Sequence, residues 1–211
     1  MSRSQRIGIL GGTFDPVHIG HLFIAEAARD AYQLDRVLFI PTGDPPHKKA
    51  SRLAPGRDRI NMLQAALRDN PAFQADDMEI TREGTTYTID SLRELKSRYP
   101  EDFLYFIIGG DTLLELKTWK DFGEVAGFCS FIAYQRPGYR KEEMIREALH
   151  LAEVYHADIH FAEGPNLEIS SKYIRHRLVR NQTIRYLVPE TVEKYIKEHH
   201  LYKGERDHAR S

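Results

Sequence analysis

The chain predicts an α/β fold with a parallel central sheet, and three features carry that prediction. Short apolar runs, among them Val37-Leu38-Phe39-Ile40 and Phe103-Leu104-Tyr105-Phe106-Ile107-Ile108, alternate with segments whose apolar residues recur at helical spacing. The runs show no polar alternation, which marks strands covered on both faces. Glycine-bearing turns follow three of them, at Gly11-Gly12, Thr42-Gly43 and Gly109-Gly110. In such a sheet, ligands bind beyond the strand C-terminal ends where strand order reverses. The three turns should therefore meet on one edge.

Taken in order, residues 6–10 form the first strand and 18–32 the first helix. The second strand, 37–40, is stopped by Pro41, and 42–55 is a loop rich in proline and basic residues. Residues 57–68 place Ile60, Leu63 and Leu67 on one helical face, and 73–80 is a weaker strand. Helix 88–98 turns Ile89, Leu92 and Leu95 inward, with Thr86 or Thr88 as its cap. After the strong strand 103–108 come a short helix at 112–117, a strand at 128–134 and a helix at 142–154. That last helix is expected to bury Ile145, Leu149 and Ala152. A short strand at 159–161 and helices at 170–180 and 190–199 complete the pattern. One domain over 1–203 and a frayed tail over 204–211 are expected.

Composition narrows the class. Among 211 residues, 41% are apolar and 29% charged, a soluble globular balance. A formal net charge of −1 gives no reason to expect a nucleic-acid or membrane binder, so an anion site must come from local clustering. The lone Cys129 excludes an internal disulfide and suits a reducing compartment. Lying within an apolar run, it reads as a buried strand residue and no nucleophile. No signal peptide or membrane span is visible, so a cytoplasmic home is expected.

The chemistry concentrates in Gly11-Gly12-Thr13-Phe14-Asp15-Pro16-Val17-His18-Ile19-Gly20-His21. A glycine turn between strand and helix lets backbone N–H groups face an anion, and the helix start adds a favourable dipole. His18 and His21 share one face of the first turn. There is no G-x-x-x-x-G-K-[ST], no G-x-G-x-x-G and no G-x-S-x-G. The histidines lack H-E-x-x-H spacing, and no metal site of the protein's own is expected.

The stretch resembles the signature of the nucleotidyltransferase superfamily that shares the HIGH element with class I aminoacyl-tRNA synthetases. Further elements follow in order: Pro45-Pro46-His47-Lys48, Tyr87-Thr88, Ile107-Ile108-Gly109-Gly110-Asp111, Thr118-Trp119 and Ile169-Ser170-Ser171-x-x-Ile174-Arg175-x-Arg177. Together, from residue 6 to about 202, they resemble the bacterial nicotinate-nucleotide adenylyltransferase family. The resemblance implies a Rossmann-like nucleotidyltransferase fold with a C-terminal helical segment. It also implies a reaction, ATP plus nicotinate mononucleotide giving nicotinate adenine dinucleotide and pyrophosphate. An attacking phosphate is already ionised, so alignment and charge stabilisation are needed and no triad is.

Roles carried over by the resemblance fall into three groups. His18, His21 and Arg175 would be catalytic. Gly11, Gly12, Thr13, Phe14, Gly109, Asp111, Ser170 and Ser171 would hold ATP, which arrives with Mg²⁺. His47, Lys48, Thr88, Trp119, Lys120 and Arg136 would hold the mononucleotide. The alternative for Asp111 is a helix N-cap, and for Trp119 a place in the core. Lys172 departs from the family's usual threonine, either adding a phosphate contact or facing water. The expected partners are the two nucleotides, with neither nucleic acid nor membrane, and a homo-oligomer stays open. Sister nucleotidyltransferases with other acceptors, a synthetase fragment and an RNA-binding module around Lys172, Arg175, Arg177, Arg180 and Arg185 are the rival readings.

Overall fold

The computed structural model describes residues 3–43, 53–134, 141–165 and 167–202. Six strands, β1 (Arg6–Gly12), β2 (Arg36–Pro41), β3 (Phe73–Ala75), β4 (Phe103–Gly109), β5 (Ser130–Tyr134) and β6 (Ile159–Ala162), form one sheet. Every pairing is parallel, in the order β3-β2-β1-β4-β5-β6. Strand order therefore reverses between β1 and β4, which opens a crevice at their C-terminal ends. The helices are α1 (Ile19–Ala31), α2 (Gly56–Leu67), α3 (Met78–Thr81), α4 (Thr88–Arg98), α5 (Gly110–Glu115), α6 (Phe122–Phe128), α7 (Lys141–Tyr155), α8 (Ser171–Val179) and α9 (Glu190–Glu198).

Both sheet faces are covered, as the apolar runs require. Ile7, Ile9, Leu38 and Ile40 point to one face, where they meet Ile89, Leu92 and Leu95 of α4 and Met144 and Leu151 of α7. Leu10, Val37 and Phe39 point to the other, against Ala25 and Ala28 of α1, Met62 and Leu63 of α2, Ile174 of α8 and Ile196 of α9. The C-terminal helices are thus part of the second layer. Asn61 and Asp58 of α2 both hydrogen-bond the Tyr195 hydroxyl of α9, at 2.9 and 2.8 Å.

Several expectations need correction. The strand expected over 73–80 ends at Ala75, because the Asp76 carboxylate accepts the Met78 N–H at 3.0 Å and turns the chain into α3. Helix α6 was not anticipated; its two glycines mask a buried Phe122, Val125, Ala126 stripe. Neither Thr86 nor Thr88 caps α4, whose N-cap is Tyr87. On α7 the buried stripe is Met144, Ala148 and Leu151, while Ile145 and Leu149 are 40% and 66% exposed. Two apolar stripes run along that helix, and periodicity alone cannot say which one faces the sheet. Cys129 is buried as expected, but as the C-cap of α6 just before β5.

Candidate active site

The crevice between β1 and β4 is a cleft of about 380 Å³. Its floor is two of the glycine-bearing turns: Gly11, Gly12 and Thr13 at the end of β1, and Gly109 with Asp111 at the end of β4. Thr42, Thr86, Thr88, Thr112, Glu79, Phe106 and Trp119 complete most of the wall, with His21 projecting from α1. The three glycine-bearing turns do converge, since Gly12 pairs with Pro41 across β1–β2 and Ile9 with Phe106 across β1–β4.

Phe14 is what shapes the turn after β1. It adopts a left-handed backbone (φ 48°), an uncommon state for a bulky residue that its buried ring helps to hold. The ring stands edge-on to His21 at 4.9 Å and lies 5.9 Å from Phe39. Phe14 therefore offers a ligand only its backbone. The two histidines lie one on the other, with ring centroids 3.6 Å apart and planes inclined by 23°. His18 is the N-cap of α1 and is 5% exposed, and Gly20 leaves room for its ring. A Cβ at Gly20 would come within 3.1 Å of His18 Nδ1. The His18 backbone N–H donates to His21 Nδ1 at 3.2 Å. With Nδ1 an acceptor, the ring proton is assigned to Nε2, so His21 is a donor on the cleft wall. His18 itself stands behind it and does not line the cleft.

A second layer of polar contacts holds this turn from below. Asp15, 1% exposed, accepts the Ala54 N–H at 3.1 Å. Arg175 of α8 donates to the Asp15 carbonyl at 2.5 Å and lies 3.4 Å from its carboxylate. The Ser171 hydroxyl donates to the Pro16 carbonyl at 2.8 Å. These bonds dock the N-terminal end of α8 against the turn that leads to His18. Ser170 caps that helix, accepting from the Tyr173 N–H at 3.2 Å. Arg59, 4% exposed, donates through Nη1 to the carbonyls of Thr13 (3.0 Å) and Thr42 (2.7 Å) and through Nε to that of Ala54 (3.2 Å). One guanidinium thus ties the turn after β1 to the turn after β2.

The opposite wall is built differently. Trp119 is half-buried, edge-on to Phe106 at 5.5 Å and near Phe131 at 6.5 Å. Thr88 opens α4, and the Lys120 ammonium sits 4.3 Å over the Tyr87 ring. At Gly43 the backbone passes so close to α3 that a Cβ would stand 2.2 Å from the Glu79 carbonyl oxygen. Only glycine fits there. Asp111 is exposed at the second position of α5, whose N-cap is Gly109, so the capping alternative for Asp111 is removed.

The structure thus gathers Gly11, Gly12, Thr13, His21, Thr88, Gly109, Asp111 and Trp119 around one cleft. Ser170, Ser171 and Arg175 do not line it: Ser171 and Arg175 bond to Pro16 and Asp15 in the turn that leads to His18, and Ser170 caps α8. Lys172 is exposed. His47, Lys48 and Arg136 lie outside the described residues. Sequence reasoning assigned no site role to Glu79, Thr86, Thr112, Asp15, Arg59 or Tyr202. Of these, only Asp15 carried a signal, its place inside the glycine–histidine stretch. Among the described residues, no three His, Cys, Asp or Glu side chains gather as a metal site. None of the described helices is long and apolar enough to cross a membrane.

Comparison with known proteins agrees with this arrangement. The cytidylyltransferase-like family model matches residues 9–177. A probable nicotinate-nucleotide adenylyltransferase of Thermoanaerobacter sp. (strain X514) is 43% identical over 210 residues, covering 99% of this chain and all of the relative. One from Citrifermentans bemidjiense is 44% identical over 217 residues, covering 96% and 100%. The chain belongs to the nicotinate-nucleotide adenylyltransferase family. The fold has the same breadth: the Plasmodium falciparum nicotinic acid mononucleotide adenylyltransferase complexed with NaAD superposes with a TM-score of 0.77 at 20% identity. That alignment covers 94% of this chain and 97% of the other. As a member of this family the chain is an enzyme of nucleotidyl transfer, on an α/β fold with helices on both faces of a six-stranded parallel sheet.

Proposed function

We propose that this enzyme transfers the adenylyl group of ATP to nicotinate mononucleotide by direct in-line attack, with no covalent intermediate. The observation that carries the reading is His21. It is fixed as an Nε2 donor by the His18 backbone and stands on the wall of a cleft floored by the Gly11-Gly12-Thr13 turn. The names of the relatives, and an NaAD complex of a protein with the same fold, support the choice of substrates.

In the proposed step, a phosphate oxygen of the mononucleotide attacks the α-phosphorus of ATP. A new phosphoanhydride bond forms as the α–β bridging bond breaks, and pyrophosphate leaves with the bonding electrons. No proton need move in the protein, because the attacking oxygen is already ionised. Catalysis is then alignment plus donors at the developing charge. The backbone N–H groups from Gly11 to Phe14 and the His21 donor meet the phosphates, and His18 holds His21 in register. Ser170, the first turn of α8 and Arg175 face the β- and γ-phosphates, with Ser171 anchoring the helix. Asp111 and Gly109 lie toward the ribose. The triphosphate would carry its own Mg²⁺, which would offset part of its charge. On the other wall, Trp119 stacks on the nicotinate ring, and Thr88 with the backbone near Lys120 faces its carboxylate.

The test is incubation with ATP and Mg²⁺ plus either nicotinate or nicotinamide mononucleotide, following dinucleotide and pyrophosphate. Equimolar nicotinate adenine dinucleotide and pyrophosphate are expected. Product with neither acceptor overturns the reading, and a preference for the amide overturns the acceptor assignment.

A further inference from the structure

The Asp15 carboxylate takes no part in the step just described, yet it is among the most deeply buried charges of the described residues, at 1% exposure. Its Oδ1 accepts two donors from distant parts of the chain. One is the Ala54 N–H at 3.1 Å; the other is the Tyr202 hydroxyl at 2.7 Å, from a residue 187 positions later. Its Oδ2 lies 3.4 Å from Arg175 Nη1, the same nitrogen that donates to the Asp15 carbonyl. A chain of polar contacts therefore runs from Tyr202 through Asp15 to Arg175.

The ends of this chain differ in freedom. Arg175 is 30% exposed at its side chain and belongs to α8, whose N-terminal half is docked on the Asp15-Pro16 turn. Tyr202 follows α9, where Leu201 N–H bonds back to the Ile196 carbonyl at 3.1 Å and Tyr202 itself takes a left-handed φ of 60°. Burial and the adjacent Asp15 carboxylate push the phenol well above its ordinary pKa, so it keeps its proton and stays a donor. A hydrogen bond to a buried charge is worth more than one between neutral groups, and its loss leaves the carboxylate free to reorient.

We infer that Tyr202 is a positioning residue for adenylyl transfer: by fixing the Asp15 carboxylate it fixes the Arg175 guanidinium toward the triphosphate. The segment after α9 is then part of the ATP side of the site, although it lies outside every motif near the cleft. This rests on the reading that Arg175 meets ATP, and it adds a remote group that sets how Arg175 is held.

Tyr202→Phe is the direct test, since it keeps the ring that packs among the C-terminal apolar residues and removes only the donor. The KM for ATP should rise about tenfold, with the KM for nicotinate mononucleotide within about twofold. Tyr195→Phe is the control, because it deletes a hydroxyl of the same C-terminal region that, among the described residues, bonds to Asn61 and Asp58 of α2; it should move neither constant. Asp15→Asn removes the charge from the middle of the chain and should reproduce the selective ATP effect. A structural role would not predict the last result: in an Arg175→Lys background, Tyr202→Phe should change the ATP KM by less than about twofold, because its route is already cut. An unchanged ATP KM in Tyr202→Phe, equal shifts for both substrates, or additivity with Arg175→Lys each overturn the inference. A wild-type protein that forms no dinucleotide overturns the functional reading instead, a different outcome from an active enzyme indifferent to Tyr202.

Discussion

The two walls of the cleft are held in place by different physics. Behind the turn after β1, three buried polar groups, Asp15, His18 and Arg59, are 1%, 5% and 4% exposed, and Asp15 and Arg59 join backbone segments that are far apart in sequence. Buried polar groups hold their positions only while their partners do, so this wall is rigid and costly to disturb. The opposite wall is aromatic and half-exposed: Trp119 leans edge-on against Phe106, and Lys120 lies over Tyr87. Apolar packing tolerates small shifts. The contrast fits one wall that must hold developing charge in a fixed place and another that need only receive a ring.

The sharpest break of that comparison is His21→Ala. Removing a donor at the reacting phosphates should lower turnover by at least about 10²-fold, while thermal melts show a folded protein. Near-normal turnover in that folded variant would remove His21 from the mechanism. Next comes Trp119→Ala, expected to raise the KM for nicotinate mononucleotide about tenfold with the ATP KM within about twofold, read from initial rates at fixed co-substrate. An ATP-side effect of equal size would mean the walls are not separable. Gly43→Ala should cost about 1–3 kcal/mol of stability, seen as a lowered melting temperature, since its Cβ would strike the Glu79 carbonyl.

The smallest effect is expected at Cys129, which belongs to neither wall. Burial pushes its thiol up to about 12, so a thiol reagent at pH 8 should leave the folded enzyme unmodified and react on unfolding. The unfolded thiol ionises near its ordinary value of 9.0 while the folded one stays protonated. Its contribution to stability is therefore complete below pH 9 and lost as pH rises toward 12.

The same contrast explains what could be read from the sequence. The strands, the glycine turns and the pair His18 and His21 are written in local patterns: unbroken apolar runs, turn residues and three-residue spacing. The parallel sheet follows from those patterns, and so does the edge that carries the site. Tyr202 and Arg59 have no local signature. Their roles arise from bonds across 187 and 46 positions, which no periodicity records. Glu79 was hidden by reading 73–80 as one strand, when the Asp76 carboxylate turns the chain there. On α7 the pattern was present twice, and the buried face is Met144, Ala148 and Leu151, of which Met144 and Leu151 join the same apolar cluster as the strand side chains.

The most direct test of the account is the stereochemical course at the α-phosphorus, followed with ATP carrying a chiral thiophosphate at that position. A single in-line displacement by the mononucleotide, with the protein supplying alignment and donors, predicts inversion of configuration in the dinucleotide. Retention would mean two displacements and a covalent adenylyl–protein intermediate, and would contradict it.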